Sequence, residues 1–202
     1  MKQTAVSATT LEGAGIRLEP LTEAHHPALC AVGLDPELWR WTPKQVHTAA
    51  DMAAYIAFAL AEKAAGRALP FAIIDRATGQ AIGSTRYMAI EPAHRRVEIG
   101  STWLGGAWQR TSANTEAKYL LLQHAFETLG CIRVELKTDA LNERSRAAIR
   151  RIGAQEEGTL RSHMVTASGR IRDTVYYSIL EAEWPGIKKA LESRLQVVFK
   201  IV

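Results

Sequence analysis

QRTSANTEAKYLLLQHAFETLGCIRVELKTDALNERSRAAIRRIG, residues 109–153, holds two changes of period, and these decide the fold. Leu121, Leu122, Ala125, Phe126 and Leu129 recur at helical spacing, which predicts a helix from about Thr115 to Leu129 closed by Gly130. Ile132, Val134 and Leu136 then alternate with Arg133, Glu135 and Lys137, the period of a half-buried strand over 132–138. A second, short helix is expected over Glu143–Arg151, with Gly153 ending it.

Upstream, strand signals crowd together. Phe71–Ile74, Ala81–Met88 and Val97–Leu104 read as an antiparallel meander, and Ile16–Leu18 as an earlier short strand ended by Pro20. Thr22 is expected to cap a helix to about Val32. DPELWRWTP (35–43) reads as a packed loop. Thr48 with Asp51 three residues on begins a helix with Met52, Tyr55, Ile56, Ala59 and Leu60 inside. Downstream, strands near 154–166 and 171–180 flank the turn Ser168-Gly169, and a last helix covers about Glu183–Leu195. The order gives an α/β (α+β) domain on one sheet. Residues 1–10 are expected to be a loose lead-in that reaches about residue 12, 11–195 the domain, and 196–202 an apolar tail. That tail packs on the domain or on a second copy, which leaves a homodimer open.

Composition narrows the function by exclusion. The 202 residues carry a net charge of +4 and are 47% hydrophobic, suited to one globular domain and an anionic ligand but too weakly basic to argue for nucleic acid. The arginines of 144–151 lack interleaved aromatics. No apolar run is long enough for a membrane helix, and the start MKQTAVSATT does not read as a secretory signal, so a cytoplasmic protein is expected. Cys30 and Cys131 belong to no metal or redox spacing and are expected to be buried and reduced, and the histidines form no metal motif. Gly13-Ala14-Gly15 precedes its strand and lacks a third glycine, so it is no dinucleotide fingerprint.

Three stretches carry the chemistry that remains. VEIGSTWL (97–104) is a strand running into Gly105-Gly106. QRTSANTEAK (109–118) opens the amphipathic helix with small residues, Ser112, Ala113 and Asn114, beside Arg110. Free N–H groups at a helix start favour an anion, though an ordinary helix capped by Asn114 or Thr115, with Glu116 in its first turn, gives the same pattern. In DALNERSRAAIRRIGAQEEGTLR (139–161), Asn142 caps the second helix, Ser145 lies in its first turn, and Arg146 and Arg150 share a face that could hold a phosphate.

These fragments, in this order with IRLEPLTEAH before them, resemble the GNAT superfamily of N-acetyltransferases, in its ribosomal-protein branch typified by RimJ and RimL. The resemblance implies a mixed, mostly antiparallel sheet splayed between its fourth and fifth strands, here Val97–Leu104 and Ile132–Thr138. It implies acetyl-CoA in the gap and no metal. The backbone at Trp103 and Leu104 and the loop Gln109, Arg110, Thr111, Ser112, Ala113 and Asn114 would bind the cofactor, with Asn142 on the pantetheine and Arg146 as an added cation. Glu98 would be the general base and Ser145 the donor to the leaving thiolate. The family loop usually has glycine where this chain has Ser112, and glycine or alanine where it has Asn114. Serine tolerates a left-handed backbone less well than asparagine, so Ser112 is where CoA affinity would weaken. The expected acceptor is a primary amine, a protein N-terminus or a small molecule, with residues 30–47 and 160–173 as the variable substrate walls. A catalytically silent acyl-CoA sensor of the same fold is the alternative.

Overall fold

The computed structural model describes residues 9–199. Most of the expected lead-in, residues 1–8, and the last residues of the apolar tail, 200–202, lie outside the described residues, as does the packing of Val197–Val202 as a whole. Eight strands form one sheet: β1 (Leu11–Glu12), β2 (Ile16–Pro20), β3 (Leu69–Asp75), β4 (Ala81–Glu91), β5 (Arg96–Leu104), β6 (Arg133–Asp139), β7 (Gln155–Val165) and β8 (Ile171–Leu180). Their order across the sheet is β1-β2-β3-β4-β5-β6-β8-β7, antiparallel throughout except for the parallel pair β5–β6. Among the described residues no helix is long and apolar enough to cross a membrane.

The sheet is covered on both faces. In β3, Phe71 and Ile73 join one core with helices α3 (Ala113–Gln123) and α5 (Trp184–Phe199). Ala72 and Ile74 join the other, with α1 (His26–Gly33) and α2 (Ala49–Ala64). Successive side chains point to opposite faces, so a strand packed on both sides reads as a continuous apolar run. Helix α2 starts at the expected box: the Asp51 amide donates to Thr48 Oγ1 at 3.1 Å, and the Thr48 amide donates to Asp51 Oδ2 at 2.9 Å.

Three expectations need correction. Leu11–Glu12 is not lead-in but a strand paired with Arg17–Leu18. The helix expected from Thr22 breaks into a 3₁₀ turn (Glu23–His25) and α1, because Pro27 has no N–H to extend the ladder backward. The helix expected over 115–129 begins earlier, at Ala113. It also ends differently, since residues 124–128 widen into a π turn where the Tyr87 hydroxyl donates to the Leu121 carbonyl at 2.5 Å.

The gap that matters lies between β5 and β6. Their register is Arg96↔Arg133, Val97↔Val134 and Glu98↔Glu135, and it stops there. Beyond Glu98, β5 stays with β4 while β6 is paired along its whole length with β8. A bulge accompanies the parting: between Ser84 and Arg86 the chain of β5 uses one residue more than β4, and Ser101 takes a left-handed φ of 48°. The splay sits between the fifth and sixth strands here because the short β1 adds one to the count.

Candidate functional site

The edge of β5 from Ile99 to Leu104 has β4 on one side and, among the described residues, no strand on the other. Trp103 and Leu104, expected at the cleft, pair with Ser84 and Gly83. The Trp103 ring is buried in a trio with Trp39 and Tyr55, centroids 5.4 and 6.5 Å away, and donates to the Tyr55 hydroxyl at 3.3 Å. That trio locks the strand's position from the α1–α2 face. Gln109 does not point into the cleft. Its amide donates to the Leu104 carbonyl at 3.0 Å and its oxygen accepts from Arg144 at 2.8 Å, tying the end of β5 to helix α4 (Glu143–Arg151).

At the start of α3 the left-handed residue is Arg110, with φ 63°. Ser112 is the N-cap at φ −68°, an ordinary helical value, so serine carries no strain where the family glycine stood. Thr111 Oγ1 accepts from the Ala113 amide at 3.2 Å, and the Ser112 carbonyl accepts the first helical bond, from Glu116. The amides of Ser112, Asn114 and Thr115 have no acceptor among the described residues. Three free donors at the positive end of a helix, with small Ala113 and exposed Arg110 beside them, make a cradle for an anion. Glu116 turns the other way. Buried, it accepts from the Gly15 amide at 3.0 and 3.3 Å, and burial raises its pKa against the pull of the amides at 14–16. The Gly13-Ala14-Gly15 turn is thus a carboxylate socket: a Cβ on Gly13 would stand 2.3 Å from Glu116 Oε1.

Glu98 is 3% exposed and accepts from Lys137 Nζ at 2.8 Å. It shares a sheet face with Met88, its register partner, and with Gly100. A second titratable group was missed from the sequence. Lys118, 6% exposed, reaches from α3 to Thr102 Oγ1 at 2.7 Å, and Thr102 lies 2.7 Å from the Thr85 hydroxyl. No carboxylate stands within ion-pair distance among the described residues, and burial takes its pKa down to about 7, with nearby Glu98 opposing the drop. The signal was present: positions 118, 121, 122 and 125 share the apolar stripe, and a lysine there must be buried.

Across the gap, Asn142 caps α4, its Oδ1 accepting from the Ser145 amide at 3.0 Å, and Ser145 is half-buried beside it. Arg146 is not a free cation. Its guanidinium donates to the Tyr177 hydroxyl at 3.2 Å, the Ala140 carbonyl at 3.3 Å and Glu156 at 3.4 Å, and Arg150 reaches the same Glu156 oxygen at 2.5 Å. Both arginines of the face expected to hold a phosphate are thus paired with Glu156. The two variable segments do meet. Arg170 lies 5.5 Å from the Trp41 ring and is bonded to buried Asp139 at the end of β6, while Arg172 stands 3.9 Å from that aspartate. Cys131 is buried, and that raises its thiol to about 11, so it is neutral and a poor nucleophile. Cys30 is only half-buried, which corrects the expectation for it.

Residues 16–155 match the family described as an acetyltransferase (GNAT) domain. YdaF of Bacillus subtilis (strain 168), provisionally named a ribosomal N-acetyltransferase, is 36% identical over 110 residues, which are 54% of this chain and 59% of that one. The crystal structure of a GCN5-related N-acetyltransferase from Brucella melitensis superposes with a TM-score of 0.87 at 35% identity, covering 94% of this chain and 86% of the other. RimJ of Mycobacterium smegmatis, solved in complex with CoA-disulfide, superposes at 0.78 with 25% identity over 93% of each chain.

Proposed function

The chain belongs to the GNAT acetyltransferases, in their RimJ-like branch, and from that premise we propose that it moves the acetyl group of acetyl-CoA directly to a primary amine. The observation that carries the reading is an open β5 edge, Ile99–Leu104, followed in the chain by a helix start whose first amides are free. The residues fit the cofactor. The amides of Ser112, Asn114 and Thr115 would hold its pyrophosphate, Arg110 would add charge, and the β5 edge near Trp103 and Leu104 would pair with the pantetheine amides. Asn142 keeps its side-chain N–H₂ for the same arm, because only its oxygen serves the helix cap. Bound there, acetyl-CoA supplies an activated acyl thioester.

The chain's own groups then handle protons and charge. An amine with a pKa of about 10 must lose a proton before it attacks. Glu98 takes that proton, directly or through a water, and Lys137 holds the carboxylate in place at 2.8 Å. A backbone N–H on the free side of β5, near Leu104, faces the negative charge that develops on the acyl oxygen. Ser145 donates to the departing sulfur. With a neutral, buried Cys131 no acyl-enzyme is needed. RimJ-like enzymes and the name of YdaF support a protein N-terminus as acceptor, within the broader class of primary amines.

The test is calorimetric titration with acetyl-CoA beside a CoA-release assay on pooled amines and N-terminal peptides. Binding in the micromolar range with amine-dependent release is expected. Glu98→Gln is expected to lower kcat about 100-fold while leaving acetyl-CoA affinity unchanged. Binding without release from any acceptor would make the protein a sensor. If the variant loses only thermal stability and keeps its rate, Glu98 is a structural partner of Lys137.

A further inference from the structure

Arg172, in β8, is 6% exposed, and burial lowers its pKa against the pull of Asp139. Its Nε donates to Thr174 Oγ1 at 3.1 Å. Nη1 and Nη2 have no acceptor among the described residues, and they are not sealed from solvent as the Nε and Nη2 of Arg86 are. The nearest carboxylate, Asp139, stands 3.9 Å from Nε and is already engaged. Its Oδ1 accepts from the Leu141 amide at 3.0 Å and its Oδ2 from Arg170. Arginines are rarely buried this deeply unless paired, and two free end groups in one plane match a carboxylate.

The rest of the face says which ligand fits. Register pairs Lys137 with Tyr176 and Asp139 with Thr174, and it pairs Glu98 with Glu135, two positions before Lys137. Side chains alternate along each strand, so Glu98, Lys137, Asp139, Tyr176, Thr174 and Arg172 share one side of the sheet. Val97, Leu136, Val175 and Tyr177 point to the other side, into the core that holds α3. The helix that carries the anion cradle thus packs behind this face. Around the end of β6, three cations meet two carboxylates. Lys137 is taken by Glu98 at 2.8 Å and Arg170 by Asp139, which leaves Arg172 as the surplus positive charge. Glu98 is near enough to raise its pKa too, after Asp139. Bonded to Thr174, the Arg172 guanidinium is drawn along β8 toward Tyr176. The step from the Asp139–Thr174 pair to the Lys137–Tyr176 pair is two residues, about 7 Å, the reach of one amino-acid side chain.

We propose that Arg172 is a specificity site for a carboxylate carried by the acceptor, so that the protein acetylates amines with an acidic group about one side chain away from the nitrogen. The carboxylate docks on Nη1 and Nη2, on the face that also carries Glu98. That the carboxylate belongs to an acetyl acceptor rests on the transferase reading. An acidic residue at or next to a peptide N-terminus and a free acidic amino acid share this chemistry.

The test separates the site from the reaction. The Nε–H resonance of Arg172, assigned by its loss in Arg172→Gln, is followed in ¹⁵N-labelled protein. The probes are glutarate, which has two carboxylates and no amine, and glutaramide, which has neither. A saturable shift with glutarate alone is expected. Arg172→Gln leaves Asp139 its bond to Arg170, and unchanged acetyl-CoA affinity in it and in Arg172→Lys shows that both variants fold. CoA release is then compared for Glu- against Gln-initiated peptides and for free glutamate against glutamine. A kcat/KM about tenfold higher or more is expected for the acidic member of one pair, falling to within about twofold in Arg172→Gln and partly restored in Arg172→Lys. Whichever pair shows the preference identifies the source of the carboxylate. Equal rates on both members of each pair, or a preference that survives Arg172→Gln, would overturn the carboxylate site and leave the transferase reading intact. With no release from any amine the transfer reading falls, and glutarate decides the site: a saturable shift upholds it and none overturns it.

Discussion

Helices α3 and α4 border the same cleft, yet they treat their polar groups in opposite ways. The start of α3 keeps three amides without acceptors, and its interior lysine, Lys118, lies buried with a threonine hydroxyl rather than a carboxylate for a partner. In α4 the cap is closed by Asn142, and Arg146 and Arg150 are both turned onto Glu156. On the proposed reading, a run of arginines is a poorer sign of an anion site than a helix start without a side-chain cap. Arginines are long and find acids elsewhere in the fold, whereas backbone amides cannot move to a new partner.

The contrast is broken or sharpened by four variants. Lys118 has the largest expected effect. Its folded pKa is about 7 against 10.5 when exposed, so between those values the unfolded chain binds more protons and stability rises with pH. Lys118→Met should remove that rise, a difference of about 2 kcal/mol between pH 7 and pH 9 by calorimetric unfolding of both proteins. An equal pH dependence in the two would mean that the lysine is solvated. Next, Ser112→Asp places a carboxylate over the free amides and should weaken acetyl-CoA binding about 30-fold, measured by calorimetry. Ser145→Ala should cost about fivefold in kcat at constant acetyl-CoA affinity, the worth of one hydrogen bond of about 1 kcal/mol, read in steady-state release of CoA. Arg146→Gln should change acetyl-CoA affinity less than about threefold. A loss as large as that of Ser112→Asp would restore the phosphate role of α4 and erase the contrast.

Much of the scaffold was legible because it follows local rules. The Thr48–Asp51 box, the alternation across 132–138 and the two left-handed glycines that stop helices, Gly130 at φ 65° and Gly153 at φ 95°, all act within a few residues. The order of the fragments led to the splayed sheet. What could not be read depends on partners distant in the chain. Nothing near Arg146 announces Glu156, which sits on another element and takes its charge. Nothing near Arg86, which follows Ser84 and Thr85 in β4, announces that its guanidinium is buried with Nε and Nη2 unpartnered. Ser112 misled for the opposite reason. It sits at the helix start with a φ of −68°, and the left-handed residue of this loop is Arg110, two positions upstream.

The socket that holds Glu116 also sets an order of events during synthesis. The carboxylate that steadies the start of α3 is met by amides made 101 residues earlier. At about 5–20 residues per second, the first hairpin waits some 5–20 s on the ribosome before its partner has been made. Through that interval the turn at 13–15 has no carboxylate to close on, and the two short strands on either side of it have no sheet to join until β3 appears. The start of α3 acquires its tie to the 13–15 turn only when the hairpin and the helix dock.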